Sequence, residues 1–251
     1  MPTPNDNVSA NWFEQAFDTL YPIVYAHRSV DAAAPEVAFA IKALCLRPQH
    51  RVLDVACGNG RHLVHLAANG NSVMGLDFSP ALLALATERF SGNVPLLRAD
   101  MRTIPFRAAF DVVTSFFTSF GYFTTHAENL AVAQGISVAL KPGGAFFIDF
   151  INREHVVQTL VPESVRHHED YEIRDRRWID AETDRLNKAT EVFRAGECLV
   201  SYEESVQLYT HEAFDGLLRE GGLQPDTYYG DYDGSQLDVA NPRMMAVGYA
   251  P

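Results

Sequence analysis

Val52-Leu53-Asp54-Val55-Ala56-Cys57-Gly58-Asn59-Gly60-Arg61-His62 is the stretch whose reading decides the fold. An apolar run from Val52 to Ala56, interrupted only by Asp54, stops at two glycines one residue apart. Leu63, Leu66 and Ala67 then recur at the i, i+3, i+4 spacing of a helix. The pattern predicts strand, tight turn, helix. Glycine permits the backbone angles of such a turn and lets a ligand approach the main chain. The helix start beyond it offers unpaired N–H groups and a positive dipole end.

Dinucleotides ask this turn for G-x-G-x-x-G, the third glycine easing helix–strand packing. Leu63 stands at that third position, which disfavours a nicotinamide-dependent oxidoreductase. A ligand without pyrophosphate needs only the first two glycines, and Asp54 suits one that bears an ammonium group. Ser72 to Leu76 reads as the second strand and ends in Asp77, a carboxylate able to accept from both vicinal hydroxyls of a ribose. Phe78 beside it is placed to pack on a base. Ser79-Pro80 opens the next helix as N-cap and N1. Val94 to Ala99 is a third strand running into Asp100-Met101, and Val112 to Phe116 a fourth. Phe116 reads as core. The aromatic loop from Phe117 to Phe123 follows, where the carboxyl ends of parallel strands place ligands. A helix from Ala127 to Leu140 leads through Lys141-Pro142-Gly143-Gly144 to a strand from Ala145 to Phe150.

Three features in this order resemble the class I S-adenosylmethionine (SAM)-dependent methyltransferases. They are the acid before G-x-G, the acid at the tip of the second strand, and the helix, Leu-Lys-Pro-Gly-Gly, strand run. The resemblance implies an α/β, Rossmann-like doubly wound sheet of seven strands, the last antiparallel. It implies SAM as cofactor, held by Tyr25, Asp54, Ala56, Gly58, Gly60, Asp77, Phe78, Asp100, Met101 and Ser115. Asp100 would face the adenine amino group, with the next backbone N–H on the ring. Tyr122 and His126 are the candidates for a direct part in the reaction. Within the class, the chain looks most like small-molecule enzymes with a β insertion. Those acting on nucleotide-linked amino sugars share its N-terminal tyrosine segment, its Leu-Asp-Val-Ala-Cys-Gly turn and its Phe-x-Ser-x-Gly-Tyr stretch after the fourth strand. In sequence the insertion shows no basic cluster suited to a nucleotide diphosphate. The fourth strand also lacks the Asn/Asp-Pro-Pro-aromatic motif of nucleobase methyltransferases.

Around this centre, residues 1–36 read as an N-terminal helical lid. Residues 1 to about 10 are polar and loose, and an apolar face then runs through Trp12, Phe13, Ala16, Phe17 and Leu20. Tyr21, Tyr25 and Arg28 are turned to the cofactor in this reading. Residues 37–152 and 210–251 form the SAM-binding domain, entered by a helix from Val37 to Leu46. Residues 153–209 form an inserted antiparallel β lobe with a hairpin turn at Ala195-Gly196-Glu197, walling the acceptor or pairing two copies into a homodimer.

The 251 residues carry 47 % hydrophobic and 21 % charged side chains, enough to bury a sizeable core. The net charge of −12 argues against a nucleic-acid surface, which needs clustered Lys and Arg. Cys45, Cys57 and Cys198 are far apart and read as free thiols of a reducing, cytoplasmic compartment. Cys57 in the turn would let a thiol reagent block the site. No signal peptide or apolar run of membrane-spanning length is visible, so no membrane partner is expected. His167-His168 has no third ligand at metal-site spacing, so no metal is expected. The function predicted is methyl transfer to an N or O atom of a small molecule, the alternative being a non-catalytic SAM-binding regulator.

Overall fold

The computed structural model describes residues 12–17 and 20–251. The expectation of a loose segment over residues 1 to about 10 lies outside them. In place of one N-terminal helix, the described residues form two short ones, α1 (Phe13–Ala16) and α2 (Tyr21–Val24). Helix α3 (Val30–Ala43) begins at Val30 rather than Val37, because the Ser29 hydroxyl caps it on Ala32 N at 3.1 Å and the helix runs on through Pro35.

The chain then alternates strand and helix: β1 (Arg51–Val55), α4 (Arg61–Ala68), β2 (Ser72–Asp77), α5 (Pro80–Arg89), β3 (Leu96–Arg98), β4 (Phe110–Ser115), α6 (His126–Ala139) and β5 (Leu140–Ile151). Strand β5 is longer than expected, starting at Leu140, with Gly143 taking a left-handed conformation inside its first half. After α7 (Arg153–Thr159) come β6 (Glu163–His168), β7 (Tyr171–Asp180), β8 (Arg185–Arg194) and β9 (Glu197–Gln207). Helix α8 (His211–Glu220), β10 (Gln224–Tyr229) and β11 (Arg243–Tyr249) close the chain.

Two sheets result. The larger has the order β10-β11-β5-β4-β1-β2-β3, with β1 to β5 parallel and β11 antiparallel to both of its neighbours. The smaller is the antiparallel meander β6-β7-β8-β9, with left-handed Ala195 and Gly196 turning β8 into β9. That pair of positive φ angles is what a tight hairpin asks for.

Alternation of side chains along the central strands fills a core on each face of the large sheet. Leu53, Val55, Phe146, Ile148 and Phe150 face α6 and α8, while Val52 and Phe147 face α3 and α4. Strands buried on both faces read as continuous apolar runs, which is why β1 was legible. The strand order reverses between β1 and β4, and a crevice opens beyond the carboxyl ends of strands at such a point. Among the described residues, no helix is long and apolar enough to cross a membrane.

Candidate active site

The turn after β1 is built from left-handed residues: Ala56 at φ 59°, Gly58 at 56° and Gly60 at 77°. Asp77, at the tip of β2, holds it. One carboxylate oxygen accepts from Gly58 N at 2.7 Å and the other from Ser79 N at 2.8 Å. The two glycines do different work. A Cβ on Gly58 would meet only Leu82, at 3.7 Å, so this glycine keeps ligand space open. A Cβ on Gly60 would press into the Phe90 ring at 2.8 Å, so that glycine lets α4 pack on α5. Gly58→Ala is therefore expected to weaken S-adenosylhomocysteine (SAH) binding about tenfold in calorimetry, a methyl in ligand space being worth ~1–3 kcal/mol, and its left-handed backbone adds a cost in stability. Gly60→Ala should instead lower thermal stability by ~1–3 kcal/mol and leave the affinity of the folded protein unchanged.

A cavity of about 270 Å³ opens above this turn. Of the residues predicted from sequence, Tyr25, Ala56, Gly58, Asp77, Phe78, Asp100, Met101 and Tyr122 line it together. Asp54, Gly60, Ser115 and His126 are not in its wall. Asp54 alternates with Leu53 into the sheet's interior, 1 % exposed, and accepts from Thr114 Oγ1 at 2.8 Å, while its other oxygen has no partner among the described residues. Burial pushes its carboxyl up to about 7. Ser115 is buried within β4. His126 is the first residue of α6, which Thr125 and Glu128 start with reciprocal capping bonds; this turns the imidazole outward to Glu220 at 3.0 Å. Asp100 is on the wall, but its carboxylate is already clasped by the Arg102 guanidinium at 2.6–3.1 Å. Cys57 is 4 % exposed and burial pushes its thiol far up, so a thiol reagent finds little thiolate here.

Sequence reasoning passed over Arg61 and His62, although they close the quoted stretch. Both line the cavity, and both reach Glu36 on α3, at 3.0 and 2.6 Å. Burial pushes His62 down to about 4, so the imidazole is neutral, and it stacks on Phe116 at 4.1 Å. Phe116 is thus both core and wall. Their signal was position in the first turn of α4.

The loop after β4 is held in an unusual form. Phe117 and Thr118 are consecutive left-handed residues, at φ 59° and 61°, a conformation costly for bulky and β-branched side chains. Asp149, fully buried on β5, secures them. Its carboxylate accepts from Phe117 N at 2.7 Å, from the Tyr232 hydroxyl at 2.6 Å and from Arg243 Nε at 2.7 Å. Arg243 also donates to Thr118 Oγ1 at 2.9 Å. From the small sheet, Arg185 donates to the carbonyls of Tyr122 and Phe123 at 3.0 and 2.9 Å.

This loop separates the first cavity from a second, of about 300 Å³, facing the small sheet. Phe17, Tyr25, Arg28, Phe117 and Tyr122 line both, a largely aromatic wall that the two share. The second cavity corrects the expectation that no basic cluster exists. Arg28, Arg166, Arg177, Lys188 and Arg243 converge on it, against Glu204 as its acidic lining residue. Tyr25 donates to Glu204 at 2.6 Å and is also bonded by Lys188. Burial, foremost, holds the Tyr25 and Tyr122 phenols above their ordinary range.

An open parallel sheet ending in one antiparallel strand, with an acid-held glycine turn at its switch point, defines a Rossmann-like nucleoside-binding protein of the class I methyltransferase fold. Residues 52–144 match the methyltransferase domain family, and the chain is a SAM-dependent methyltransferase. It is 24 % identical to the putative methyltransferase YqeM of Bacillus subtilis over 92 % of this chain and 94 % of that one. It is 32 % identical to the dTDP-3-amino-3,4,6-trideoxy-alpha-D-glucopyranose N,N-dimethyltransferase of Streptomyces venezuelae, over 52 % of this chain and 55 % of that one. Among solved structures it is similar to SAM-bound CalS10, an amino pentose methyltransferase from Micromonospora echinaspora. There the TM-score is 0.68 and the identity 28 %, covering 93 % of this chain and 97 % of that one.

The described residues fit SAM. The Asp77 carboxylate has lone pairs beyond its two backbone bonds that would take ribose hydroxyls, Phe78 and Met101 line the cavity where they would flank a base, and Gly58 leaves space beside the turn.

Proposed function

We propose that the enzyme methylates an amino group of a small acceptor that also carries an anionic, phosphate-type group, as nucleotide-linked amino sugars do. The observation that carries this reading is the second cavity: five cationic side chains line it, and it shares a largely aromatic wall with the cofactor cavity. In a chain of net charge −12, such local concentration focuses an anion into the pocket. Asp175 spends one oxygen on both Arg166 and Arg177, at 2.9 and 2.8 Å, which leaves further guanidinium N–H groups for a ligand.

SAM, when bound, supplies a methyl group already activated on a sulfonium and displaced in line. The protein's task is alignment at near-attack distance. Phe17, Tyr25, Phe117 and Tyr122 make the boundary between the two cavities aromatic. The buried phenols of Tyr25 and Tyr122 stay protonated, so neither is a general base, and the acceptor reacts as its free amine. Tyr122 acts as part of that boundary, and His126 has no part in the reaction. We assign residues 12–17 and 20–36 to a lid over the cofactor and the small sheet to the outer wall of the acceptor. Val165 and Leu199, exposed on that sheet, offer a contact for a second copy. The free thiols support a cytoplasmic setting, and the acidic balance supports a substrate other than nucleic acid.

The test is methyl transfer from labelled SAM to a dTDP-linked 3-amino sugar, compared with the same sugar lacking the diphosphate. The linked form is expected to be preferred. Arg177→Gln should raise its KM about tenfold or more, a charge-assisted bond being worth ~1.5–3 kcal/mol, and leave SAH affinity unchanged. Equal use of the two sugars would remove the anionic acceptor from the reading.

A further inference from the structure

We propose that Glu204 accepts a hydrogen bond from the acceptor's amino group, so that a charged row across the small sheet, Arg177, Lys188 and Glu204, sets which end of the acceptor meets the cofactor. The inference deepens the reading of an amine acceptor that carries an anionic group, and it rests on that reading.

The row follows from strand register. Arg177 on β7 is opposite Lys188 on β8, and Lys188 is opposite Glu204 on β9. Directly opposed residues share a face of the sheet, and all three line the second cavity. Two cations opposed across a strand pair are destabilising, a cost that a bound anion would offset. Strands lie about 4.8 Å apart, so the row spans roughly 10 Å from its outer cation to its acid.

The two ends of the row differ. Arg177 donates to Ser164 Oγ at 3.0 Å and to Asp175 at 2.8 Å, both within the small sheet. Glu204 stands against the wall that the two cavities share. Its Oε1 accepts from the Tyr25 hydroxyl at 2.6 Å, and Tyr25 lines both cavities. The Glu204 charge also reaches Tyr122 of that wall, adding to burial, the larger cause, in raising its phenol. Lys188 donates to the same Oε1 at 2.9 Å. Both bonds therefore fall on one oxygen, and Oε2 has no hydrogen-bond partner among the described residues. A carboxylate oxygen has lone pairs for about two donors, so Oε1 is filled and Oε2 is left for a ligand. Glu204 is the acid in a basic lining, so an amino group is drawn to this end and an anion to Arg177. One N–H on Oε2 leaves the lone pair of a free amine for the methyl group.

The experiment is calorimetric titration of the SAH-loaded protein with two ligands, a dTDP-linked 3-amino sugar and its counterpart with hydrogen in place of the amino group. Wild type is expected to bind the amino form about tenfold more tightly or better, as a charge-assisted bond allows. Glu204→Gln keeps an oxygen for Tyr25, so SAH affinity should be unchanged. It should bring the two ligands within about threefold of each other by weakening the amino form alone. Glu204→Asp should keep part of the preference. Arg177→Gln, at the other end of the row, should weaken both ligands equally and preserve their ratio. An unchanged ratio in Glu204→Gln, or equal losses for both ligands, would leave Glu204 as an anchor for Tyr25 and overturn the proposal. A wild type that binds the two ligands equally would overturn it as well. A wild type that binds neither would overturn the anionic-acceptor reading itself, and the role of the row with it.

Discussion

Asp77→Ala is expected to weaken SAH binding by about 10²–10³-fold in a protein that still folds. The carboxylate is fixed before any ligand arrives, each oxygen accepting one backbone N–H at 2.7–2.8 Å. Each oxygen keeps a second acceptor position, and two vicinal hydroxyls of a ribose match that pair. Two charge-assisted bonds at the lower end of ~1.5–3 kcal/mol each amount to ~3–4 kcal/mol, which sets the range. The fold should tolerate the change, because Asp77 is itself a strained investment: burial raises its carboxyl against the pull of the Ser79 and Gly58 N–H groups. Losing it frees two N–H groups at a cost of ~1–3 kcal/mol apiece and removes a buried charge, so the two effects oppose one another. Calorimetry beside a thermal melt separates ligand from fold. An affinity within threefold of wild type would show that Asp77 only braces the turn. Asp77→Asn, which keeps one acceptor oxygen, should fall between.

The contrast between Gly58 and Gly60 shows where sequence was enough and where it was not. The strand–turn–helix reading placed β1 and α4, and the contiguous residues at the tips of β1, β2 and β3 came together as Ala56, Gly58, Asp77, Phe78, Asp100 and Met101. These were legible because a strand end, its turn and its ligand contact are neighbours in the chain. Asp54 and Ser115 were misplaced by the same nearness. A strand's side chains alternate between its faces: Asp54 lies one residue back from the end of β1 and Ser115 at the end of β4, and both are buried in the sheet. His126 follows Tyr122 closely in sequence, but a helix start intervenes and the capping bonds of Thr125 and Glu128 decide its direction. The basic cavity left no sequence signal at all. Arg28, Arg166, Arg177, Lys188 and Arg243 come from the lid, β6, β7, β8 and β11, and only the register of the small sheet and its placement against β11 bring them together. The left-handed Phe117 and Thr118 were equally hidden, since neither residue type favours that conformation and its cause, Asp149, lies on another strand.

Asp54 gives the chain a pH signature that sequence did not suggest. Its carboxyl is raised to about 7 in the fold, burial outweighing the Thr114 hydrogen bond, against about 3.9 in an unfolded chain. A raised folded value means the native state binds the proton more tightly. The stability this contributes is fully present below about pH 4 and is lost as pH rises toward 7, at ~1.4 kcal/mol per unit, or ~4 kcal/mol in all. Other groups titrate in that window, so the clean observable is the difference between wild type and Asp54→Asn. The asparagine keeps an oxygen for Thr114 Oγ1 but never ionises, and its amide nitrogen takes the place of an oxygen that is already unpartnered. Wild type is therefore expected to be the more stable protein at pH 5 and the less stable one at pH 8, the two curves crossing between. Urea unfolding of the ligand-free protein across that range measures the crossing. Parallel curves would mean that Asp54 ionises at an ordinary pH, and that water or Arg61 reaches the oxygen that has no hydrogen-bond partner among the described residues.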